Sequence, residues 1–186
     1  METEQHLLND LKREENGAGQ RLYTRYSGHL MAVGLRYMGN GEDAADVVQD
    51  ALVKILTNIQ RFEYRGEGTL RAWMARIVVN TALKHLQLRA HFFHEELPEN
   101  LEPDEDTDVV LVPPEVLMKM IGELPKGYRT VLNLYVFEKM SHQEIARELG
   151  IKENSSASQY LRAKRLLQQK IKDYINTPNL HREEKI

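Results

Sequence analysis

Apolar residues recur every three or four positions along most of this chain, and that spacing predicts α-helices in place of strands. In the first half the pattern predicts helices at residues 2–15, 20–38, 42–62 and 69–90. In the second half it predicts helices at 115–123 and 128–136 and a closely spaced helical pair at 141–171. The chain is therefore expected to be all-α, with two small helical domains separated by a polar stretch at 92–114.

Residues 141–171 have the features of a helix-turn-helix. Ser141 and Glu144 have the spacing of a capping box, which starts a helix. Gly150 stands where such a helix ends with a residue at positive φ. Asn154 or Ser155 is expected to cap the second helix. Two capped helices joined by a tight turn are the arrangement that places a recognition helix in the major groove of DNA.

The second helix of this pair is expected to bury one face and expose another. Its buried stripe, at about 100° per residue, consists of Tyr160, Ala163, Leu167 and Ile171. The opposite face carries hydroxyl, amide and guanidinium groups on Ser155, Ser158, Gln159, Arg162, Arg165 and Gln169. Such groups donate to phosphates and read base edges in a major groove. An ordinary helical hairpin with a solvated polar face remains the alternative.

The predicted helix at 42–62 has two contrasting sides. Its core stripe is expected at Ala45, Val48, Leu52, Ile55 and Ile59. The other side aligns Asp43, Asp46 and Asp50, with Val47 and Val53 at the edges. Acids near the start of a helix suit the helix dipole, whereas exposed valines among carboxylates are typical of a docking surface for a basic partner. Both interpretations are open at this point.

The loop at 60–68 places Phe62 and Tyr64 between Arg61 and Arg65. Aromatic rings interleaved with arginines favour the binding of single-stranded bases, by stacking and by neutralising phosphates. At least one of the two rings is expected to fold back into the core. In the next helix, which Thr69 is expected to cap, Asn80 lies among apolar residues and is either a hydrogen-bonded structural residue or part of a pocket.

The formal net charge of −3 hides a strong segregation of charge along the 186 residues. Residues 61–91 contain six Lys or Arg and two Glu, and residues 115–175 contain eleven Lys or Arg and seven acids, so each segment has a net charge of +4. Residues 92–114 contain eight acids, four prolines and no Lys or Arg. This composition predicts domains at 1–91 and 115–176, a flexible acidic linker at 92–114, a polar tail at 177–186 and a polyanionic partner.

Composition excludes several classes of function. The chain has no cysteine, which rules out disulfides, thiolate zinc sites and thiol redox sensing. No secretory signal and no apolar run of about 20 residues is visible, so a cytoplasmic protein without membrane insertion is expected. His85, His91 and His94 match no common zinc spacing, so no metal or other cofactor is expected. No nucleophile–base pair or phosphate loop indicates an enzyme.

With these features placed, the chain resembles a bacterial RNA polymerase sigma factor of the sigma-70 family, extracytoplasmic-function class, from about residue 22 to residue 175. EDAADVVQDALVKIL is similar to the family's polymerase-docking helix, and GTLRAWMARIVVNTALKHL resembles the segment that melts and reads the minus-ten promoter element. LPKGYRTVLNLYVFEKMSHQEIARELG and SSASQYLRAKRLL are similar to the start and the recognition helix of the fourth conserved region.

The resemblance implies a protein that binds core RNA polymerase and promoter DNA, with an anti-sigma factor as a further candidate partner. The residues implied to face the polymerase are Asp43, Asp46, Gln49 and Asp50. Those implied to bind the melted minus-ten element are Arg61, Phe62, Tyr64, Arg65, Asn80, Lys84 and Arg89. Those implied to approach the minus-thirty-five element are Ser155, Ser158, Gln159, Arg162 and Arg165.

The chain departs from the family pattern at the start of the predicted recognition helix. At 154–157 the chain has Asn-Ser-Ser-Ala where many relatives have Gly-Thr-Val-Lys, and the missing lysine implies fewer phosphate contacts there. A stand-alone helix-turn-helix regulator of duplex DNA is the alternative function, but it leaves the acidic face and the aromatic loop unexplained. A helical enzyme is a third interpretation, for which the sequence offers no reactive groups.

Overall fold

The structure is a computed structural model, which describes residues 2–88 and 112–176. These ranges are helical and contain no strand, so the predicted all-α fold is confirmed. The chain divides into two compact units, Met1–Ala90 and His91–Ile186. The first contains α1 (Glu4–Lys12), α2 (Ala18–Met38), α3 (Gly41–Asn58), a 3-10 turn (Ile59–Arg61) and α4 (Thr69–Leu88). The second contains α5 (Pro114–Gly122), α6 (Lys126–Val136), α7 (His142–Leu149) and α8 (Glu153–Asn176).

Most of the acidic segment at 92–114 and the tail at 177–186 lie outside the described residues. In the part of the chain that the structure does describe, no helix has both the length and the hydropathy of a membrane span.

In the first unit α2, α3 and α4 pack against one another. Helices α2 and α3 approach closely at Gly34, where a Cβ atom would lie 3.2 Å from Val48 Cγ2 and 3.3 Å from the Ala44 carbonyl oxygen. A larger residue would force one of these neighbours to shift, because protein interiors are close-packed. Tyr37 on α2 and Ile55 on α3 are fully buried.

The core stripe of α3 is wider than predicted and is rotated by about one residue. Val47, which the sequence placed at an exposed edge, is 0 % exposed, and Ala44 and Ala51 are equally buried. Ala45 and Leu52, two predicted members of the stripe, are only half-buried. The members buried as predicted are Val48, Ile55 and Ile59. The difference arises because α2 and α4 both pack against α3, which enlarges its buried arc.

Helix α4 is not capped by Thr69 as predicted. Thr69 is the first residue of the helix, and its hydroxyl donates to the Gly66 carbonyl oxygen at 2.6 Å. The backbone N–H groups of Gly68 and Leu70 donate instead to the carboxylate of Glu4, at 2.7 and 3.4 Å. A residue from α1, more than sixty positions away in the sequence, therefore satisfies the start of α4.

The second unit has its own core, in which α6 and α7 pack against α8. One cluster of buried side chains consists of Ile121, Leu124, Tyr128, Leu132 and Ala163. Arg129 is buried and donates to the carbonyl oxygens of Gly122 and Leu124, just where α5 ends. Its charge is thereby paired with the negative end of that helix, which offsets the free energy of burying a guanidinium.

The helix-turn-helix forms as predicted at its first helix. Ser141 and Glu144 make the reciprocal capping box at the start of α7, and Gly150 ends that helix with φ of 67°. The second helix begins earlier than predicted, at Glu153, so Asn154 and Ser155 lie in its first turn and not at its cap. Its buried stripe is confirmed, since Ala163 and Ile171 are buried, and half-buried Tyr160 and Leu167 pack against the core.

Candidate nucleic-acid interface

A cavity of about 410 Å³ opens between α3, the 3-10 turn and α4 in the first unit. Its volume falls within the range of small-molecule sites in proteins. It is lined by Lys54, Asn58, Arg61, Phe62, Trp73, Ile77, Asn80, Thr81 and Lys84. Four of these residues, namely Arg61, Phe62, Asn80 and Lys84, were predicted to bind the minus-ten element from the sequence. We call this cavity the α3–α4 pocket.

Aromatic rings form one wall of the α3–α4 pocket. Phe62 is 8 % exposed, and its ring centroid lies 4.9 Å from that of Trp73, with the planes inclined by 37°. The expectation that at least one ring of the loop folds inward is therefore confirmed for Phe62. Tyr64 does not line the pocket. Its hydroxyl donates to Glu67 at 3.1 Å, and desolvation together with this carboxylate raises the pKa of Tyr64.

Cations, neutral polar groups and Ile77 form the rest of the lining, and none of the lining residues within 2–88 and 112–176 is acidic. Lys54 Nζ donates to Thr81 Oγ1 at 3.0 Å, and the Thr81 hydroxyl donates to the Ile77 carbonyl oxygen at 2.8 Å. Asn80 is exposed, so it belongs to the pocket wall and is not a buried structural amide. A concave surface with stacking rings, hydrogen-bonding groups and positive charge suits an unstacked base and its phosphates.

Sequence reasoning missed part of this pocket. The lining residues that it did not assign to DNA binding are Lys54, Asn58, Trp73, Ile77 and Thr81. Lys54, Asn58 and Arg61 follow one another at helical spacing on one side of α3 and the turn, and that polar stripe was a usable signal. Conversely, Arg65 lies outside the pocket and contacts Glu63 at 3.3 Å. Arg89 lies outside the described residues.

The outer side of α3 presents acids next to apolar side chains. Asp46, Gln49 and Asp50 are exposed, and Val53 and Leu56 follow them with 66 % and 46 % of their surface exposed. We call these five residues the α3 docking face. It combines charge with an exposed apolar surface, which is typical of an interaction site.

Two of the residues on the acidic side of α3 have other contacts. Asp43 is half-buried, and it exchanges hydrogen bonds with Asn40, the residue that caps α3. Asp43 is therefore part of the start of the helix, as the dipole interpretation expects. Asp50 Oδ2 lies 2.9 Å from His85 Nε2, which joins α3 to α4. His91 and His94, weighed with His85 as metal ligands, lie outside the described residues.

Helix α8, predicted to be the recognition helix, presents only part of the predicted set to solvent. Ser158 is exposed, and Ser155 and Arg165 are half-buried. Arg162 is half-buried and donates to the Tyr128 hydroxyl at 3.4 Å. Gln159 was placed on the outer face, but its Oε1 atom is buried and accepts no hydrogen bond. The correction follows from helix geometry, because position 159 lies about 40° from Ala163, which stands at one edge of the buried stripe.

A second possible ligand cluster lies at the start of the chain. Within the described ranges, ligand atoms of Glu2, His6 and Asp10 lie within 4.8 Å of one another. Arg21 binds both carboxylates of this cluster, with its Nε atom 3.3 Å from Glu2 Oε1. The guanidinium thus already neutralises the two acids, and the group is explained as an ion-pair network.

Comparison with known proteins gives matches in both units. Residues 22–91 match the family described as Sigma-70 region 2, and residues 115–167 match Sigma-70, region 4. RNA polymerase sigma factor SigV of Bacillus subtilis is 30% identical over 138 residues, which cover 70% of this chain and 77% of that protein. The RNA polymerase sigma-H factor of Pseudomonas aeruginosa is 27% identical over 179 residues, covering 88% and 91%.

Among solved structures, the chain is similar to the sigma factor RpoE of Bartonella quintana, solved in complex with the anti-sigma factor NepR. The two are 19% identical, the match covers 84% of this chain and 98% of that one, and the TM-score is 0.48.

Proposed function

This chain belongs to the extracytoplasmic-function class of the sigma-70 family of RNA polymerase sigma factors, and we propose that its two units divide promoter recognition between them. As a sigma factor it binds core RNA polymerase and directs initiation at promoter DNA. We assign the minus-ten element to residues 1–91 and the minus-thirty-five element to residues 115–176, with 92–114 as an acidic linker and 177–186 as a tail. A stand-alone helix-turn-helix regulator is not favoured, because residues 22–91 match a sigma-factor region.

We propose that the α3–α4 pocket holds a base extruded from the melted minus-ten strand. The observation that carries this proposal is an acid-free cavity that has two aromatic rings in its wall and Arg61, Lys54 and Lys84 around it. Extruding one base requires a few kcal/mol, and stacking on a protein ring returns about 1–3 kcal/mol per base. Exposed Asn80 supplies an amide with which to read the edge of that base. Tyr64 and Arg65 do not line this pocket, and we propose that Tyr64, Arg65 and Arg89 contact the flanking strand.

We propose that the α3 docking face binds core polymerase. Asp46 and Gln49 are exposed, and they lie beside an apolar surface formed by Val53 and Leu56. Carboxylates steer a basic partner and select against wrong partners, while apolar area supplies affinity. Asp50 is a member of the face that also contacts His85, whereas Asp43 is assigned to the helix start.

We propose that α8 reads the minus-thirty-five element through Arg162 and Arg165, with the hydroxyl groups of Ser155 and Ser158 donating to phosphates. A bidentate contact between arginine and guanine is worth about 1–3 kcal/mol of discrimination. The half-buried position of Arg162 beside Tyr128 limits the orientations of its guanidinium. Gln159 has a buried oxygen, so its contribution to base reading requires a change of rotamer.

The family also bears on catalytic activity, cellular location and regulation. Sigma factors are not enzymes, and we propose that this chain has no catalytic activity of its own. It is expected to act in the cytoplasm, where core polymerase transcribes DNA. We also propose an anti-sigma factor as a partner. By binding the α3 docking face it would compete with core polymerase, which is proposed to bind the same surface.

The proposal for the pocket is tested by Asn80→Ala, because Asn80 is exposed and its truncation leaves the core intact. The variant should bind core polymerase and form the closed complex normally. Permanganate-reactive thymines near the start site should form roughly tenfold more slowly, as expected for the loss of about 1–3 kcal/mol of base recognition. A promoter with a pre-melted bubble should restore transcription.

Exposed Asn16, outside the pocket, provides the matched control Asn16→Ala. Opening at the parental rate by Asn80→Ala would contradict the assignment.

The docking face is tested by a pull-down with core polymerase. Asp46→Lys should reduce retention of the sigma factor, because it reverses a charge at the proposed contact. Its thermal stability should change by no more than about 0.5 kcal/mol, since surface substitutions away from special features are nearly neutral. Exposed Thr24 on α2 offers the control Thr24→Lys. Equal retention of Asp46→Lys and the parent would remove this face from the polymerase interface.

A further inference from the structure

Helix α1 lies outside both ranges that match the sigma-70 family. It nevertheless contacts both ends of the loop at 62–68. This loop joins the 3-10 turn to α4, and it begins with Phe62 in the wall of the α3–α4 pocket. The contacts come from the two ends of α1, namely Glu4 and Lys12. Neither residue lines the pocket.

At the first end of the loop, Lys12 Nζ donates to the carbonyl oxygen of Phe62 at 2.7 Å. The Lys12 carbonyl oxygen in turn accepts a hydrogen bond from Gln60 Nε2 at 2.8 Å. These bonds join the last residue of α1 to the chain on both sides of Arg61. A hydrogen bond from a charged donor is among the stronger kinds, so the backbone of Phe62 is fixed where its ring enters the wall beside Trp73.

At the other end of the loop, the side chain of Glu4 is only 3 % exposed. One of its oxygens accepts hydrogen bonds from Gly68 N and Leu70 N, and the other accepts from the Tyr26 hydroxyl at 2.9 Å. The first backbone amides of a helix lack partners within the helix, and a negative charge there is favoured by the helix dipole. Burial, followed by the bond to Glu4, raises the pKa of Tyr26, so its hydroxyl remains a donor.

Attachment of α1 to the unit does not require these polar contacts. Leu7, Leu8 and Leu11 are buried and already provide an apolar contact surface. A buried carboxylate lowers stability unless it is well paired. The oxygens of Glu4 contact the segment that ends the loop, and the ammonium group of Lys12 contacts the segment that begins it. The polar groups of α1 thus contact both ends of the loop.

We propose that Glu4 and Lys12 are positioning residues for DNA opening, which hold the loop at 62–68 so that the α3–α4 pocket accepts an extruded base. The inference rests on the proposed function of that pocket. Neither residue is required to touch DNA. Removal of either contact should leave polymerase binding and closed-complex formation unchanged and should slow the opening of duplex DNA.

The first readout needs no DNA. Trp73 is the single tryptophan of the chain, and its ring contacts Phe62. In Lys12→Met the Phe62 carbonyl loses its charged donor, so the Phe62 ring should cover Trp73 less well. Acrylamide should therefore quench Trp73 fluorescence more readily than in the parent. Arg13→Met is the matched control, because it removes a neighbouring exposed charge, which lies 3.9 Å from Glu15. Equal quenching in Lys12→Met and Arg13→Met would overturn the proposed effect on the loop.

The second readout is promoter opening by the holoenzyme, followed with permanganate. Lys12→Met should open a duplex promoter roughly tenfold more slowly, the factor that corresponds to one hydrogen bond from a charged group. Lys12→Arg should recover most of the rate, because a guanidinium also donates to a carbonyl oxygen. A promoter with a pre-melted bubble should restore transcription by Lys12→Met. Opening at the rate of Arg13→Met, or an equal defect on the pre-melted promoter, would overturn the proposal.

Glu4→Gln serves as the second variant, and it decides the question if Lys12→Met melts at a much lower temperature. Gln keeps the shape and one acceptor oxygen, but it removes the negative charge at the start of α4. Its predicted defect is again confined to duplex opening. Asn80→Ala is measured beside it. If Glu4→Gln opens duplex DNA normally and Asn80→Ala does not, the positioning role is overturned and the function of the pocket stands. If Asn80→Ala opens duplex DNA normally, the function of the pocket itself is contradicted.

Discussion

The two candidate DNA surfaces of this protein are built in different ways. The α3–α4 pocket of the first unit is concave, and its lining comes from α3, the 3-10 turn, the start of the loop and α4. The surface of the second unit is one side of a single helix, α8. A pocket between several elements depends on how they pack, whereas the outer face of a helix follows from its own 3.6-residue period.

The difference determines how far stability and function can be separated by mutation. In the pocket, Phe62 and Thr81 are buried and also line the cavity. On α8 the proposed contacts Ser158 and Arg165 are exposed or half-buried, while Ala163 and Ile171 form the core. We expect substitutions of these buried pocket residues to change both stability and DNA opening, whereas exposed Asn80 is the pocket position at which opening changes alone. Those on α8 should change DNA binding alone.

The largest expected effect is on the stability of the first unit. Phe62→Ala removes a buried ring that contacts Trp73, so it should lower the free energy of unfolding by about 3–5 kcal/mol. Urea denaturation followed by Trp73 fluorescence measures this loss. Ser158→Ala on α8 should stay within about 0.5 kcal/mol. A loss below about 1 kcal/mol for Phe62→Ala would show that the pocket wall is not part of the core, and the contrast between the two surfaces would disappear.

The next effect is on promoter discrimination by α8. Arg162→Ala should lose about 1–3 kcal/mol of preference for the correct minus-thirty-five sequence if the guanidinium reads a base. If the arginine contacts phosphate instead, its removal should weaken binding to all sequences. It should also reduce the slope of log affinity against log salt concentration by about 1. Competition binding with matched and scrambled elements at several salt concentrations separates these cases for Arg162 and Arg165. Exposed Lys119→Ala on α5 is the control. Unchanged binding in both arginine variants would remove α8 from recognition.

A smaller effect tests whether the first helix of the helix-turn-helix is stabilised by residues that are its neighbours in the sequence. Ser141→Ala should lower the stability of the second unit by about 0.5–2 kcal/mol, because Ser141 caps α7. The backbone amide of Ser141, followed by its hydroxyl, lowers the pKa of Glu144. This bond therefore stabilises the fold at neutral pH, and the stabilisation is lost as the pH falls through the lowered pKa. Glu144→Gln should flatten that acid-side loss in thermal melts, and an unchanged pH profile would contradict it.

The smallest effect concerns the hydrogen bond between Arg162, a proposed reading residue of α8, and Tyr128. Tyr128→Phe removes the hydroxyl that accepts from Arg162 at 3.4 Å. At that length the bond should contribute less than about 1 kcal/mol to promoter binding. Affinity for the minus-thirty-five element should fall far less than in Arg162→Ala. An equal loss in the two variants would show that the core orients the reading face, and that α8 resembles the pocket more than expected.

Local features were predictable from the sequence because they depend on residues that are close in the chain. The capping box of Ser141 and Glu144, the positive φ of Gly150 and the buried stripe of α8 were all predicted. So was the exposure of Val53 on α3. The expectation that a ring of the loop at 60–68 folds inward was also correct, since burying the Phe62 ring against Trp73 removes a large apolar area from water.

The errors share a physical cause. Val47 was placed at an exposed edge, but α2 and α4 both cover α3 and bury it. Gln159 was placed on the outer face, although it lies near the edge of the buried stripe. Each error comes from assuming one packing partner for a helix. The number of partners is decided by the fold and not by the period of the helix.

The sequence by itself therefore determined the helices, the division into two helical domains and the family. It also identified Arg61, Phe62, Asn80 and Lys84, which line one cavity. Only the tertiary structure decided that Lys54, Asn58 and Thr81 complete that cavity. It alone showed that Glu4, and not Thr69, satisfies the start of α4. The reason is that a hydrogen bond to an unpaired helix amide needs only a nearby acceptor, and spatial proximity between residues sixty-four positions apart is set by packing.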